Sequence, residues 1–489
     1  MRGGRSNALN GHRKYRAPDP LSLRRPTVTT REGQVTTLTE GRHSPAAGAV
    51  DEILPPVKMG ALALQHVLVM YTGAIAVPFI IGSALHLTQE QVAFLIQADL
   101  ITCGLATIIQ TVGVWRFGVR MPLMQGVTFA SISPIIAIAS DPSVMEGGPN
   151  AGLQAVYGSV IAAGIFAIVV APIGKHVVRI FPPVVVGTVL TVIGLSLLPV
   201  AIQYAAGGFV PDAGAPGYIG LAFFVLATII VINVVAKGFI RNIAIFIGLI
   251  LGVIVAGFTG MLDFGAVGDA KAVSIITPFH FGMPTFHLVP IATMCLVVMI
   301  TWVESIGDTI VVGDMVGRKP TAGTISDLIR ADGLSTVLGG IMNSFPYTAF
   351  SENVALVSIT GVKSRWVVAL AGCFLVVIGL SPFLATTVAA LPKPVVGGAG
   401  FMMFGTLVVV GAKMLKSVDF ETTFNNFIVV GISVAMCMIP IMNGKFFQFM
   451  PDWSQVLFTS PVIMGAVTAI VLNILLNGIQ TKGASLAEG

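Results

Sequence analysis

Residues 182–187 read Pro-Pro-Val-Val-Val-Gly, and residues 392–397 read Pro-Lys-Pro-Val-Val-Gly. Each stretch opens a run of roughly 20 apolar residues, the length at which an α-helix crosses a lipid bilayer. Two such similar openings, far apart in the chain, indicate that the second part of the sequence repeats the first.

The overall composition sets the class of protein in which this repeat occurs. The chain has 489 residues, of which 55% are hydrophobic and 10% are charged, and its mean hydropathy is +0.91. Soluble domains average about 25% charged residues, so this composition excludes a water-soluble enzyme. The apolar runs are continuous rather than alternating, which argues against a transmembrane β-barrel. We therefore predict an all-α polytopic membrane protein.

Fourteen stretches are candidate transmembrane segments, numbered here 1 to 14 in chain order. Eleven are clear apolar runs, at 60–83, 91–113, 153–174, 183–203, 218–236, 242–260, 287–308, 366–389, 395–414, 424–443 and 460–479. Three more, which carry extra polar, glycine or proline residues, lie at 122–139, 324–341 and 345–361.

The loops between the segments support this count. With the N-terminus in the cytosol, the cytosolic loops carry thirteen Lys and Arg residues and the external loops carry three. An excess of positive charge on the cytosolic side is typical of membrane proteins. Losing any one of the weaker segments would invert every later loop and destroy the pattern. Both termini are therefore predicted to be cytosolic.

Fourteen segments divide into two halves of seven, and an odd number forces the halves into opposite orientations. This inverted repeat is the plan of many secondary transporters. The third segments of the two halves, 122–139 and 345–361, are both short, begin at a proline and carry hydroxyl groups. Interrupted segments in corresponding positions point to a substrate site, although two ordinary kinked helices would give a similar pattern.

Few carboxyl groups lie inside the apolar runs. Glu304 and Asp308 are four residues apart in segment 8 and would share a helix face. Two carboxylates so close rarely both ionise in a low-dielectric site, which suits a proton carrier. The alternative is that both lie at the solvated cytosolic end of the segment. Asp332 in segment 9 either pairs with Arg330 or takes part in coupling.

Other polar residues at membrane depth are less informative. Glu352 and Asn353 in segment 10 together offer acceptors and an amide donor, which suits a planar ring with N–H and C=O edges, although helix capping is an alternative. His66 in segment 1 is more typical of a hydrogen-bonded packing residue. Asp99 in segment 2 fits either a packing or a functional role.

The motifs HExxH, GxSxG and GxxxxGK[ST] do not occur in the sequence, which argues against an enzyme, a cofactor and a nucleotide-driven pump. Transport would then use an ion gradient. Residues 1–50 hold nine Lys and Arg against three acidic residues. We interpret residues 1–55 as a disordered cytosolic tail near an anionic leaflet, rather than as a nucleic-acid-binding segment.

Three stretches, in order, resemble the nucleobase–ascorbate transporter family. They are Gln-His-Val-Leu-Val-Met-Tyr at 65–71, Glu-Ser-Ile-Gly-Asp at 304–308, and 345–365 with its Ser-Glu-Asn and Thr-Gly-Val-Lys-Ser-Arg runs. The likeness covers about residues 55–480. It implies a homodimer in the plasma membrane, elevator-like movement, and short strands in segments 3 and 10. The implied parts are a core domain (56–180 and 285–390), a gate domain (181–262 and 391–480) and a cytosolic C-terminal tail (481–489).

The resemblance also implies roles for individual residues. The substrate-binding positions map onto Glu304, Glu352, Asn353, Phe129, Ala130 and Ser351. The proton-coupling positions map onto Glu304, Asp308, Asp332 and His66. No metal or cofactor is implied.

This sequence departs from the family pattern at two positions. The xanthine and urate branch usually has Gln before the Asn, whereas Glu352 stands here, as in uracil carriers, and Ala355 replaces a motif glycine. The surrounding runs look closer to the purine branch. We therefore predict proton-coupled import of a purine such as xanthine or urate. Uracil transport and Na⁺ coupling stay open, and an anion transporter on the same kind of scaffold is a weaker alternative.

Overall fold

The computed structural model describes residues 47–173, 180–262 and 273–478. Several sequence predictions lie outside these residues. They concern most of the basic tail (1–46), the loop residues Lys175, Arg179, Lys271 and Lys482, and the C-terminal tail 481–489.

The described chain is helical apart from two short strands. The elements are α1 (Pro56–Ala84), α2 (Gln89–Val112), β1 (Gln125–Val127), α3 (Ile132–Ala139), α4 (Pro142–Met145), α5 (Ala151–Val170), α6 (Pro183–Ala205), α7 (Pro216–Val235), α8 (Phe239–Asn242), α9 (Ala244–Phe258), α10 (Leu288–Val316), α11 (Ala322–Ile341), β2 (Tyr347–Ala349), α12 (Ser351–Thr360), α13 (Arg365–Gly379), α14 (Pro382–Ala389), α15 (Lys393–Leu415), α16 (Asn425–Met442), α17 (Asp452–Phe458) and α18 (Pro461–Asn477). Single 3₁₀ turns lie at Ala47–Val50, Phe129–Ser131 and Ala171–Ile173.

Eight helices within the described residues are long and apolar enough to cross a membrane, or nine if a bent pair counts as one span. The eight are α1, α2, α5, α6, α7, α10, α15 and α16. Large apolar side chains such as Phe223, Val234 and Phe258 are exposed on these helices and on α9, as expected of a surface that faces lipid. The chain is therefore a multi-pass membrane protein.

Two predicted segments differ most from the helices of the structure. Segment 8 was predicted to end at residue 308, but α10 continues to Val316 and ends at Gly317, whose φ of 78° is left-handed. Asp308 therefore lies eight residues inside the helix rather than at its end. Segment 11 was predicted as one run, whereas α13 and α14 meet at a bend of 80°, with Pro382 at the start of α14.

Glycine contacts bring two pairs of helices together. A Cβ atom on Gly104 of α2 would lie 2.4 Å from the carbonyl oxygen of Gly372 in α13. A Cβ atom on Gly333 of α11 would lie 2.8 Å from the carbonyl oxygen of Gly164 in α5. The backbones of each pair are therefore in direct contact, which is the small-residue packing that membrane helices favour.

The strands form a buried antiparallel pair in which Gln125 lies opposite Ala349 and Val127 lies opposite Tyr347. The predicted strands in segments 3 and 10 are thus confirmed. The Thr107 hydroxyl of α2 accepts a hydrogen bond from the Gln125 N–H at 3.1 Å, and the Thr336 hydroxyl of α11 accepts one from the Tyr347 N–H at 3.2 Å. Irregular backbone at membrane depth is tolerated when protein groups satisfy it in this way.

The buried apolar residues of the described chain form one large cluster and two small ones, of which the smaller consists of Ala98, Ile101 and Ile276. The large cluster joins residues from α1 to α18, including those beside the strand pair. The other small cluster lies between α7, α9 and α15 and includes Val225, Leu249 and Val395.

Candidate functional site

Glu304 and Asp308 lie on one face of α10, as their spacing predicts, and both are half-buried. A Cβ atom added to Gly307, between them on this face, would meet no atom within 4 Å. The Glu304 carboxyl group makes no hydrogen bond or ion pair with the residues that the structure describes. The Asp308 carboxylate accepts a hydrogen bond from the Ser351 hydroxyl at 2.8 Å. The two acids therefore differ, because Asp308 is held by a hydrogen bond and Glu304 has no such bond among the described residues, while the helix face between them is open at Gly307.

The residue after Glu304 fixes α10 to the second strand. The Ser305 hydroxyl lies 2.9 Å from the Thr348 hydroxyl and accepts a hydrogen bond from the Ala349 N–H at 2.9 Å. The Thr348 hydroxyl also lies 3.3 Å from the Thr301 carbonyl oxygen. Glu304 is thus held next to the paired strands. We did not predict this role for Ser305; its only signal was a hydroxyl beside the membrane carboxylate.

Glu352 is exposed, in the first turn of α12. It lines a cavity of about 220 Å³ between α1 and α12 on one side and α7, α8, α9 and α15 on the other. Phe350, Phe246 and Arg241 line the same cavity. Glu352 therefore faces a space large enough for a small planar molecule.

Asn353, in contrast, is only 2% exposed, and its amide nitrogen bonds within the protein. The nitrogen donates to the His66 carbonyl oxygen at 3.0 Å and lies 3.1 Å from His66 Nδ1. The Asn353 amide oxygen is buried without a hydrogen-bond partner among the described residues. Asn353 and His66 thus join α12 to α1, and the arrangement matches the packing interpretation of His66.

Asp332 is 1% exposed in α11. Its Oδ1 atom accepts a hydrogen bond from the Gln110 amide at 3.0 Å, while Oδ2 has no partner within the described part of the chain. The suggested pair with Arg330 is wrong, because Arg330 binds Asp327 at 2.7 Å. Residues two apart do not face each other on a helix, whereas residues three apart do.

Phe129 and Ala130 lie in the turn that follows β1. The Phe129 ring meets Phe404 of α15 edge to face, with 5.9 Å between the ring centroids. The Ala130 N–H donates to the Thr128 hydroxyl at 3.1 Å, so this donor is already satisfied. The turn therefore places an aromatic ring between the broken segment 3 and α15.

The charge of the site is negative. The groups that act electrostatically on Glu304 are the carboxylates of Asp308, Glu352 and Asp332. Such a site attracts protons or other cations and disfavours a bound anion. The structure thus brings the predicted acids close together, whereas Asn353 and His66 are engaged with each other.

Comparisons with known proteins agree with the sequence motifs. The model of the Permease family matches residues 58–444. The uric acid transporter UacT of Escherichia coli (strain K12) is 42% identical over 433 residues, which cover 88% of this chain and 88% of that transporter. The xanthine permease of Bacillus subtilis (strain 168) is 41% identical over 421 residues, which cover 85% of this chain and 93% of that permease.

Similar solved structures share the fold. The transmembrane domain of the cyanobacterium bicarbonate transporter BicA matches with a TM-score of 0.57 and 15% identity, covering 87% of this chain and 99% of that domain. The murine anion transporter Slc26a9 in its inward-facing state matches with a TM-score of 0.61 and 12% identity, covering 88% of this chain and 70% of that one. At these identities the likeness concerns the fold alone. The family model and the relatives at 41–42% identity establish that this chain belongs to the nucleobase–ascorbate transporter family of permeases.

Proposed function

We propose that this protein imports a purine such as xanthine or urate together with protons. The family and the names of its relatives support the substrate class. The observation that carries the coupling is the carboxyl group of Glu304, which makes no hydrogen bond or ion pair among the described residues and lies within electrostatic range of three further carboxylates.

The chemistry of a carboxyl group explains why protonation and base binding would occur together. A protonated carboxylic acid offers one O–H donor and one carbonyl acceptor, whereas a carboxylate offers acceptors only. The protonated form of Glu304 therefore complements a purine edge that carries adjacent N–H and C=O groups. The ionised form loses this match and is repelled by Asp308, Glu352 and Asp332. Release of the proton would thus weaken binding of the base.

In this proposal the remaining site residues either contact the base, support the site or take part in proton coupling. Phe129 and the backbone of Ala130 would border the base, and Ser351 would hold Asp308 as the second coupling carboxylate. Glu352 would contact the base from the cavity it lines. Asn353 and His66 would support the site through their mutual contacts, and Asp332 would share the proton-coupling role.

We also propose fourteen segments in two inverted repeats, with the core domain (56–180 and 285–390) and the gate domain (181–262 and 391–480) as its moving parts. Two pairs of equivalent contacts support the repeat. Segments 2 and 9 are equivalent in the two halves, and so are segments 4 and 11. Gly104 of segment 2 packs against segment 11, and Gly333 of segment 9 packs against segment 4 in the same way. The Thr107 hydroxyl accepts a hydrogen bond from the N–H of the first residue of β1, and the Thr336 hydroxyl accepts one from the N–H of the first residue of β2. A homodimer in the plasma membrane completes the proposal, by resemblance to the family.

Uptake measurements test the substrate and the coupling ion. In a permease-deficient cell that expresses this chain, we expect accumulation of radiolabelled xanthine or urate, and its loss when a protonophore is added. Accumulation of uracil alone would instead identify a pyrimidine carrier, in line with Glu352. Uptake that resists the protonophore but needs Na⁺ would contradict proton coupling.

The same assay tests Glu352. Glutamine offers a donor and an acceptor where glutamate offers acceptors, so Glu352→Gln is expected to change the ratio of xanthine to uracil uptake about tenfold, equivalent to about 1.4 kcal/mol. An unchanged ratio, at normal membrane expression, would place Glu352 outside the base-binding site.

Cysteine accessibility tests the topology. Cys373 is exposed, so the measurement starts from a variant that lacks the native cysteines. Asp212, between α6 and α7, and Lys237, between α7 and α8, are both exposed. A membrane-impermeant thiol reagent outside intact cells is expected to label Asp212→Cys and to spare Lys237→Cys. The reverse labelling would overturn the fourteen-segment orientation.

An anion transporter is the alternative suggested by the similar solved structures. The four carboxylates of the site argue against it, because they outnumber the one cationic side chain, Arg241, that lines the Glu352 cavity and would repel a bound anion.

A further inference from the structure

Asp99 of α2 is a wholly buried carboxyl group that the proposed transport mechanism does not use. Its Oδ1 atom lies 2.9 Å from the Ser344 hydroxyl and 2.8 Å from the Tyr347 hydroxyl. The two hydroxyl oxygens are themselves 2.7 Å apart. Three oxygen atoms therefore form a closed triangle of hydrogen-bonding distances, which we call the Asp99 triangle.

An ionised Asp99 would leave too few hydrogens for the three contacts of the Asp99 triangle. Each hydroxyl supplies one hydrogen, so an ionised Asp99 leaves two hydrogens for three short contacts. Any arrangement then leaves one oxygen–oxygen contact without a hydrogen, in a buried place where such contacts are costly. One additional proton, carried by the carboxyl group, completes a ring in which each oxygen both donates and accepts.

Among the residues that the structure describes, no cation offsets a negative charge at Asp99. The titratable groups that face Asp99 are Tyr347 from β2 and Cys103 from its own helix, whose thiol lies 3.6 Å from Asp99 Oδ2. The other helices that pack on α2, namely α1, α11, α13 and α14, bring no charged side chain to Asp99 within the described residues. A proton is therefore the simplest source of the missing positive charge.

The Asp99 triangle is mechanically linked to the candidate site. Tyr347 is the first residue of β2, and the next residue, Thr348, lies against Ser305 beside Glu304. The triangle is thus linked to Glu304 by one peptide bond to Thr348, the contact between Thr348 and Ser305, and one peptide bond to Glu304. A change in the number of protons in the triangle would alter how firmly the start of β2 is held.

The arrangement around the first strand is comparable. Asp332 of α11 lies near the Gln125 side chain, at the first residue of β1, without a hydrogen bond between them, and Asp99 of α2 accepts a hydrogen bond from Tyr347 at the first residue of β2. Each strand therefore starts beside a buried carboxyl group from a helix of the other half. Asp332 is one of the residues implied in coupling by resemblance, whereas Asp99 is assigned to no role.

We propose that Asp99, Ser344 and Tyr347 form a second protonation site, whose proton holds β2 in the binding-competent position. This inference rests on the proposed function for its link to transport, but the protonation itself is independent of any substrate. Asp99 acts through β2 and is therefore a positioning residue.

The first measurement needs no substrate. Infrared difference spectra of the purified protein, recorded between acidic and alkaline buffer, are expected to contain a carbonyl band of a protonated carboxylic acid that is missing in Asp99→Asn. Tyr347→Phe removes one of the two hydroxyls that bond to the Asp99 carboxyl group, so the pH at which its band disappears is expected to differ from that of the wild type. Spectra identical to those of the wild type in both variants would overturn the proposal.

The second measurement connects the site to transport. For a single required proton, the KM for purine is expected to rise about tenfold per pH unit above the titration of the triangle. In Asp99→Asn, whose side chain is always neutral, this contribution is expected to vanish so that only the rise due to Glu304 remains, whereas Tyr347→Phe is expected to shift the pH at which the contribution begins.

Thr102→Val is the matched control, because the buried Thr102 hydroxyl of the same helix bonds only to its own backbone, at the Ala98 carbonyl. Its pH profile is expected to match that of the wild type. If Asp99→Asn and Tyr347→Phe were expressed at lower levels but kept the pH profile of the wild type, Asp99 would serve packing only and the proposal would be wrong. If the carboxylic acid band appears in the wild type and is missing in Asp99→Asn, but the protein takes up no purine, the proposed function is contradicted and the protonation site is supported.

Discussion

Replacement of Glu304 by glutamine is expected to abolish the uphill accumulation of substrate. The Glu304 carboxyl group makes no hydrogen bond or ion pair among the described residues, so its replacement breaks no such bond. Glutamine keeps the shape of the protonated acid and its donor and acceptor, but it cannot release a proton. The variant should therefore fold and bind the base, yet fail to couple binding to the proton gradient. Accumulation ratios in energised cells, compared at equal membrane expression, measure the effect.

A second acid on the same helix provides the control. Asp314 belongs to α10 but is exposed, so Asp314→Asn is expected to accumulate substrate like the wild type. Asp308→Asn should lie between the two, because Asp308 is held by Ser351 at the same open space. Full uphill uptake by Glu304→Gln would refute the assignment of the coupling proton to Glu304.

Substitution of Gly104 by alanine is expected to cause the largest loss of stability. The new Cβ atom would lie 2.4 Å from the Gly372 carbonyl oxygen and 2.9 Å from the Val376 nitrogen. These are backbone atoms that cannot rotate away, so α2 and α13 must separate. Such overpacking costs about 1–3 kcal/mol or more. Thermal unfolding in detergent should show a lower Tm, with reduced yield from the membrane.

Gly431 of α16 is the matched control, since a Cβ atom there would meet nothing within 4 Å. Gly431→Ala is expected to leave the Tm unchanged or slightly higher, because alanine favours the helix over glycine by up to about 1 kcal/mol. Gly164→Ala, in the equivalent contact between α5 and α11, should resemble Gly104→Ala. Equal Tm values for the Gly104 and Gly431 variants would show that the close helix contact does not limit stability.

Much of the fold follows from local sequence features. Hydropathy alone places α1, α2 and α6, because a bilayer-spanning helix needs a continuous apolar run. The prolines near residues 182 and 392 do mark the first turns of α6 and α15. The same criterion fails at the end of α10, where Asp308 and Asp314 lower the hydropathy while the helix continues. It also fails at the sharp bend between α13 and α14.

In the candidate site, local geometry is predictable from the sequence, whereas partners distant in the chain are not. The shared face of Glu304 and Asp308 follows from helix geometry. The partners of Asn353 and Asp99 do not, because His66 lies 287 residues from Asn353 and Tyr347 lies 248 residues from Asp99. Contacts across such distances depend on tertiary packing, and no local pattern encodes them. Hence Asn353 was expected to serve the ligand, whereas its amide nitrogen is used inside the protein.

The strand pair has a consequence for biogenesis. β1 ends at Val127 and β2 begins only at Tyr347, so the first strand is synthesised long before its partner exists. Backbone groups that pair with the second half, such as the Met124 carbonyl and the Thr128 N–H, therefore lack these partners until the second strand leaves the ribosome. Neither half can assemble the site alone. Maturation of the transporter is therefore a late, post-insertional event that requires both halves in the same bilayer.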